Sequence, residues 1–147
     1  MYELIITLVL ITLGYFFGSR AEKKHYKSII EREKILNSLP VMASRIPIVK
    51  GDYDQILVSG NVVIASDYFK GFVASLRNLF GGRLRTYETL LDRARREAIL
   101  RMKEQAQELG ADIIFNVKYE TSNISGQVSS KMSVIEVHAY GTALKKA

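Results

Sequence analysis

The N-terminal part of the chain is apolar without interruption, a pattern that predicts a membrane-spanning helix. Residues Leu4 to Ser19 carry no charged side chain. As a helix this stretch is about 24 Å long, slightly short of a hydrocarbon core about 30 Å thick. A basic cluster follows at once and consists of Arg20, Lys23, Lys24, His25 and Lys27. Since long basic side chains can reach the headgroups and extend the span, we predict a single-pass anchor over residues 1–19.

Two alternatives to an anchor stay open for this segment. A secretory signal peptide normally begins with basic residues, whereas the charged side chain here is Glu3, and Ser19-Arg20-Ala21 is a poor cleavage site. An apolar run of this length also occurs in the buried helices of soluble domains. If the segment is an anchor, the positive-inside rule places the basic cluster and all that follows in the cytoplasm, at the inner membrane.

Residues 20–42 have the composition of a helical stalk that continues from the anchor. Good helix formers fill the segment, opposite charges are interleaved, and a partial apolar stripe consists of Ile29, Ile30, Leu36 and Leu39. Pro40 and Pro47 disfavour a longer helix, because proline lacks a backbone donor and clashes with the preceding turn. We therefore expect a globular domain over residues 43–147.

Polar and apolar positions alternate at both ends of this domain, which predicts strands. Ile46 to Val49 and Gln55 to Ala65 form the first group, and Ser59-Gly60-Asn61 predicts a hairpin turn or a bulge inside the second of them. Ile113 to Thr121 and Ser133 to Leu144 form the second group. The polar loop between these two strands favours a hairpin.

Two helices are predicted between the groups of strands. The stretch from Asp67 to Phe80 has apolar residues three and four positions apart. The longer helix, Thr86 to Leu109, ends at Gly110 and has an alanine-rich seam that permits close approach to a sheet. The seam consists of Tyr87, Leu91, Ala94, Ala98, Met102, Ala106 and Leu109. The order β-β-α-α-β-β predicts an α+β fold with two helices packed on an antiparallel sheet.

Composition limits the chemistry of the domain. The 147-residue chain has no cysteine, which excludes disulfides, thiolate zinc sites and cysteine nucleophiles. Its net charge of +6 favours an anionic partner. Anionic membrane lipid is the simplest such partner, because the basic cluster after the anchor would lie at the cytoplasmic leaflet.

Several short sequences in the domain resemble the YbjQ-like family. They are Phe69-Lys70-Gly71-Phe72-Val73-Ala74-Ser75-Leu76-Arg77-Asn78-Leu79-Phe80-Gly81-Gly82-Arg83, then Tyr87-Glu88, Ala94-Arg95, Leu109-Gly110-Ala111-Asp112 and Ala139-Tyr140-Gly141-Thr142-Ala143. The resemblance covers roughly Ile56 to Leu144. It implies a small α+β domain that assembles into a homo-oligomeric ring, a pentamer, and that carries a heavy-metal-binding label without an established activity. Typical relatives are short and soluble, so the anchor and the stalk depart from the family.

Gly81-Gly82-Arg83 is a candidate site for an anion or small ligand. Backbone amides in a glycine turn, with a guanidinium at the start of the long helix, suit an anion. The simpler interpretation is that the glycines supply the positive φ angles of a corner between two helices. Both interpretations stay open.

The long helix is rich in arginine, which raises the question of nucleic acid. Acidic residues interrupt the basic ones, so the positive charges do not align on one face, and nucleic acid is not expected. We expect a solvated helix surface, with Glu97 and Arg101 as one stabilising pair, or ion pairs between subunits. The candidates for an oligomer interface are Tyr87, Glu88 and Arg95.

His138 is the candidate metal ligand of the domain. It alternates with Glu136 and Tyr140 on one strand face, which an oligomer axis would repeat. A single strand histidine without recognised ligand spacing is more often part of a hydrogen-bonded structure, so no cofactor is expected. The sequence has no nucleophile paired with a base and no phosphate-loop motif, so we do not expect an enzyme.

These observations predict a membrane-anchored, ring-forming homo-oligomer that acts as a scaffold or assembly module on the cytoplasmic face of the membrane. Several weak anchors held in one ring bind a bilayer more firmly than one does. The alternative is a metal or small-ligand sensor in which the ring encloses a site near Gly82, Arg83 or His138.

Overall fold

The fold combines a long N-terminal helix with a three-stranded sheet that is covered by a second helix. A computed structural model describes residues 2–65, 85–124 and 134–147. The elements are α1 (Tyr2–Ile35), a 3-10 turn (Leu36–Ser38), β1 (Tyr53–Ala65), α2 (Arg85–Glu108), β2 (Ile113–Asn123) and β3 (Val134–Lys146). The predicted α+β class is confirmed. The helix predicted over Asp67 to Phe80 lies outside the described residues.

The sheet has the order β1-β3-β2, and both pairs are antiparallel. β1 pairs with β3 without interruption, from Tyr53 opposite Lys146 to Ala65 opposite Val134. Along β3, Val137 and Ala139 are fully buried in the core beneath α2, whereas His138 points to the other face. The strands predicted for the C-terminal half therefore form the expected antiparallel pair.

Gly60 lies in the middle of β1, so the predicted hairpin turn or bulge at Ser59-Gly60-Asn61 is wrong. The helix α2 crosses the strand at this glycine, and a Cβ atom there would come within 2.6 Å of the backbone nitrogen of Met102. The glycine thus permits a close helix–sheet contact instead of a turn. On the helix side the contact is made by Ala94, Ala98 and Ala106, as the alanine-rich seam predicts.

The strand predicted over Ile46 to Val49 is also wrong. Residues 46–49 are not part of the sheet, and Ile46 and Ile48 are 75% and 73% exposed, although Val49 packs against the core. The chain reaches the sheet earlier instead, where Val41 forms a parallel bridge with Ile114 of β2. The backbone of Asn116 then donates a hydrogen bond to Ser44 (2.9 Å).

Helix α2 ends where the sequence predicts. Gly110 has a φ of 73°, and its backbone nitrogen donates to Gln107 at 2.9 Å. The nitrogen of Ala111 donates to Ala106, also at 2.9 Å. This pair of bonds is a Schellman motif, which needs a residue with positive φ and therefore favours glycine.

Helix α1 is continuous through the predicted anchor and stalk. Its apolar first half is long enough to cross a membrane, and no part of that apolar window is buried in the protein. The described residues therefore do not bury this segment, and the anchor and its alternatives stay predictions. The second half behaves differently, because one side of it contacts α2.

Candidate functional site

One side of the second half of α1 packs along α2. The side chains on this side recur every three or four residues, so they form one stripe on the helix. The docking stripe consists of Glu22, His25, Tyr26, Ile29, Arg32, Glu33 and Leu36, and each is at least partly buried. Its apolar content is small: Ile29 and Leu36 form a cluster with Leu100 of α2. Most of the contact is therefore polar or charged.

Glu97 of α2 is the centre of this contact. It is only 3% exposed and accepts hydrogen bonds from Arg32 of the docking stripe and from Arg101 (3.0 Å). Burial alone would raise the pKa of Glu97, but the hydrogen bonds from the two arginines outweigh it and hold that pKa below its ordinary value. Arg32 also donates to Glu104 at 3.1 Å. Two carboxylates of α2 thus hold one guanidinium of α1.

A second ion pair joins the helices beside the first. Arg96 donates to both carboxylate oxygens of Glu33, at 2.7 and 2.6 Å. This two-pronged hydrogen bond lowers the pKa of Glu33, while partial burial opposes the shift. Glu22 lies 3.8 Å from Arg93 at the N-terminal end of the stripe. The two acidic residues of the docking stripe therefore both face arginines of α2.

His25 is held between these pairs. Its Nε2 atom lies 3.7 Å from Glu97, and its Nδ1 atom is buried with no hydrogen-bond partner among the described residues. Burial lowers the pKa of His25; Glu97 opposes this, whereas Arg93, Arg32 and Arg101 add to it. The neutral imidazole is therefore the form that fits the contact.

Two hydrogen bonds to backbone carbonyls flank the charged centre. The hydroxyl of Tyr26 donates to Thr89 (3.2 Å), and the ammonium of Lys103 donates to Leu36 (3.0 Å). Burial lowers the pKa of Lys103, with Glu33 opposing the shift. A cleft of about 310 Å³ lies beside Lys103. It is lined by Glu33, Asn37, Arg96, Ile99, Leu100 and Lys103.

The domain beneath this contact matches a known family. The sequence model described as "Putative heavy-metal-binding" matches residues 40–147. The chain belongs to the YbjQ-like family. The resemblance read from the sequence is confirmed, and the match begins after α1 and the 3-10 turn. The docking stripe therefore lies entirely outside the part of the chain that matches the YbjQ-like model.

Individual YbjQ-like relatives agree with this assignment. A UPF0145 protein of Thermococcus kodakarensis is 36% identical over 115 residues, which are 78% of this chain and 92% of that protein. One from Hahella chejuensis is 40% identical over 88 residues, which are 60% of this chain and 79% of that protein. A crystal structure of a DUF74-family protein of unknown function from Pediococcus pentosaceus covers 74% of this chain and 98% of that one, with 22% identity and a TM-score of 0.43.

Only some of the sites predicted in the YbjQ-like domain lie among the described residues. Gly81, Gly82 and Arg83 lie outside the described residues. Tyr87 belongs to α2 by its backbone, and its side chain is not described. Glu88 and Arg95 are exposed on α2. Their role in an oligomer interface stays a prediction.

His138 of the YbjQ-like domain lies on the face of the sheet opposite α2. Its ring stacks on Tyr140 with 5.5 Å between ring centres, and Tyr140 donates to Glu120 at 3.1 Å. Glu136, the nearest acidic neighbour along the strand, accepts a hydrogen bond from Asn61 at 2.8 Å. In the ranges that the structure describes, no three histidine, cysteine or acidic residues are grouped so that they could hold a metal. These contacts suit a hydrogen-bonded face.

Sequence reasoning missed the docking stripe. It expected the charges of α2 to be solvated or paired between subunits, yet Arg93 and Arg96 pair with α1 of the same chain. The predicted pair of Glu97 and Arg101 is confirmed. The available signal was the spacing of partly apolar positions in the stalk. That spacing identifies a face but not the surface on which it packs.

Proposed function

We propose that this protein is a single-pass membrane protein whose YbjQ-like domain assembles with further copies on the cytoplasmic face of the inner membrane and acts there as a scaffold. The observation that carries the proposal is one continuous helix with two kinds of surface. The first half of α1 is apolar and exposed all round, and the second half is fixed to the domain by the docking stripe. The helix thus couples an anchor rigidly to the domain.

The first half of α1 has the surface that hydrocarbon requires. Large apolar side chains such as Leu4, Leu8 and Phe17 are well over half exposed, and exposed apolar surface on this scale is unfavourable in water. The hydroxyls of Thr7 and Thr12 donate to carbonyls four residues earlier, at 2.8 and 2.7 Å. Polar groups satisfied inside the helix are compatible with a bilayer core.

The assembly that we propose is a ring, because the resemblance to the YbjQ-like family implies one. Ile46, Ile48 and Leu57 are exposed among the described residues, and such aliphatic side chains suit a contact between subunits. In a ring, several rigidly coupled anchors enter the membrane side by side. Binding then becomes multivalent, because insertion of one anchor raises the effective concentration of the others.

Cysteine labelling tests the membrane topology. The chain has no cysteine, so a Tyr2→Cys or a Lys50→Cys variant carries a single reactive thiol. In intact cells a membrane-impermeant maleimide should label position 2, and position 50 only after permeabilisation. Loss of the thiol at position 2 from the mature protein would identify a cleaved signal peptide. Release of the protein by alkaline carbonate would contradict the anchor.

Native mass spectrometry of the detergent-extracted full chain tests assembly. The proposal expects one discrete oligomer, and a monomer would contradict it. The sensor alternative stays a prediction with its own test. A His138→Ala variant should lose a stoichiometric metal ion if the protein is a metal sensor, and metal content should be unaffected if it is a scaffold.

A further inference from the structure

The exposed side of the second half of α1 is mostly cationic. The side that faces α2 contains both acidic residues of the docking stripe, Glu22 and Glu33, together with Arg32 and His25. The opposite side carries an outer row of cations: Arg20, Lys23, Lys24 and Lys27, all of them exposed. At about 100° per residue, the four outer positions fall within an arc of about 100° almost opposite Ile29, which is fully buried. Docking on α2 thus fixes the direction in which the outer row points.

Acidic residues in the described ranges do little to neutralise the outer row. Glu22 is turned toward Arg93, on the other side of the helix. Glu31 lies 3.9 Å from Lys27, and both side chains are mostly exposed, so water and salt screen this pair. Arg20 lies with its guanidinium carbon 4.1 Å from the centre of the Phe16 ring, at the junction with the apolar half. The row therefore begins where the apolar surface ends.

We propose that the outer row binds the headgroups of anionic phospholipids in the leaflet next to the apolar half of α1. From Arg20 to Lys27 the row extends about 10 Å along the helix axis. The electrostatic field of an anionic leaflet extends a similar distance, a Debye length of about 8 Å at physiological salt. A modest tilt of α1 toward this side brings all four cations to the headgroups, and the domain, held by the opposite side, then lies away from the membrane.

This inference rests on the proposed function for the insertion of α1, and it adds a lipid class and a binding surface. A competing explanation is that the cations only orient the helix during insertion, as the positive-inside rule requires. Orientation needs positive charge near the end of the span but no preference for one lipid over another. Lipid selectivity therefore separates the two explanations.

The test uses the full-length protein in nanodiscs that contain phosphatidylcholine and phosphatidylglycerol in equal amounts. Native mass spectrometry counts the lipids that stay bound when the disc is disrupted. A Lys23→Gln, Lys24→Gln, Lys27→Gln variant removes most of the outer row. The matched control, Lys34→Gln, Lys50→Gln, Lys146→Gln, removes the same charge from exposed positions farther along the chain.

The wild type and the control should retain phosphatidylglycerol above the ratio in the disc, and the outer-row variant should lose this enrichment. Equal ratios in all three proteins, or enrichment lost equally in both variants, would overturn the inference. Carbonate extraction of the same three proteins is made in parallel. A wild type that stays embedded but shows no enrichment refutes the lipid site alone, whereas a wild type that is extracted refutes the proposed function and this inference together.

Discussion

The two halves of α1 have opposite relations to the rest of the protein. The first half exposes apolar side chains and is not buried against any described residue, whereas the second half buries Ile29 and pairs its charges with α2. No break separates them, because α1 is helical from Tyr2 to Ile35. If α1 is the anchor that we propose, a helix of this kind transmits the position of the membrane directly to the domain. A flexible linker would not.

Helix α2 shows a second contrast, between its two buried sides. The side against the sheet is apolar, with Ala98 and Met102 fully buried over Gly60. The side against α1 is mostly ionic, with Glu97 and Arg96 as its main groups. Hydrophobic burial resists salt, whereas salt weakens the partly exposed pair of Glu33 with Arg96 and weakens the buried Glu97 pairs less. We therefore expect high salt to loosen the edge of the α1–α2 contact before it affects the sheet.

The largest effect should come from disrupting the apolar side of α2. A Gly60→Val variant places a side chain against the α2 backbone, and we expect a loss of about 3 kcal/mol in the free energy of unfolding. Chemical denaturation of the full chain in detergent measures it. Ser59→Val is the control, because its exposed side chain points to the opposite face of the strand. Equal stability of the two variants would contradict the close contact.

The next effect should come from the centre of the ionic side. A Glu97→Gln variant leaves Arg32 and Arg101 without their shared carboxylate, and we expect the α1–α2 contact to weaken by about 2 kcal/mol. Hydrogen exchange should accelerate in residues 22–36 and stay unchanged in β1 and β3. Glu108→Gln, at an exposed position near the end of α2 and far along the helix from Glu97, should leave both regions unchanged.

Acid should weaken the same contact. The lowered pKa values of Glu97 and Glu33 mean that their contribution is present above the ordinary carboxyl range and is lost as the pH falls through the lowered values. The lowered pKa of His25 weakens the contact at a higher pH. Below the ordinary pKa of 6.5, the imidazole binds a proton more readily when α1 is undocked than when it is docked, so protonation favours the undocked helix. The neighbours of His25 are Glu97, Arg93 and Arg101 of α2, with Glu22 and Arg32 on α1 itself.

Hydrogen exchange of residues 22–36 across the pH range measures this weakening. A His25→Asn variant should lose the step that begins near neutral pH and keep the step at acidic pH. A wild-type contact that is independent of pH would contradict the ionic account.

The smallest effect should come from the edge of the contact. Tyr26→Phe removes one exposed hydrogen bond to Thr89, and we expect a loss of about 0.5 kcal/mol. The change should be visible as slightly faster exchange at the N-terminal end of the stripe, with no change near Leu36. A loss of stability as large as that caused by Glu97→Gln would contradict the conclusion that Glu97 is the centre of the contact.

Features that depend on local pattern could be predicted from the sequence. The alanine-rich seam of α2, the end of that helix at Gly110 and the pair of Glu97 with Arg101 all follow from spacing within one element, and the structure confirms them. The α+β class follows from the order of such elements, and the family follows from the short sequences that the domain shares with it.

Features that depend on contacts between distant segments could not be predicted from the sequence. Ser59-Gly60-Asn61 has the composition of a turn, but the reason for Gly60 is a helix that lies some forty residues later in the chain. In sequence, the docking stripe has the mixed charges of a solvated helix. In the structure, these charges are balanced by residues of α2 and not by neighbours in α1. Pairing across such separations leaves no periodic signal in the stripe itself.

Disulfide trapping tests the docking of α1 on its own domain most directly, because the chain has no cysteine of its own. In native membranes, an Ile29→Cys, Leu100→Cys variant should form an intramolecular disulfide, since the two side chains share one buried cluster. An Ile30→Cys, Leu100→Cys variant should not, because Ile30 is 43% exposed on the other side of the helix. Equal trapping of both pairs, or disulfides formed between chains, would contradict the account.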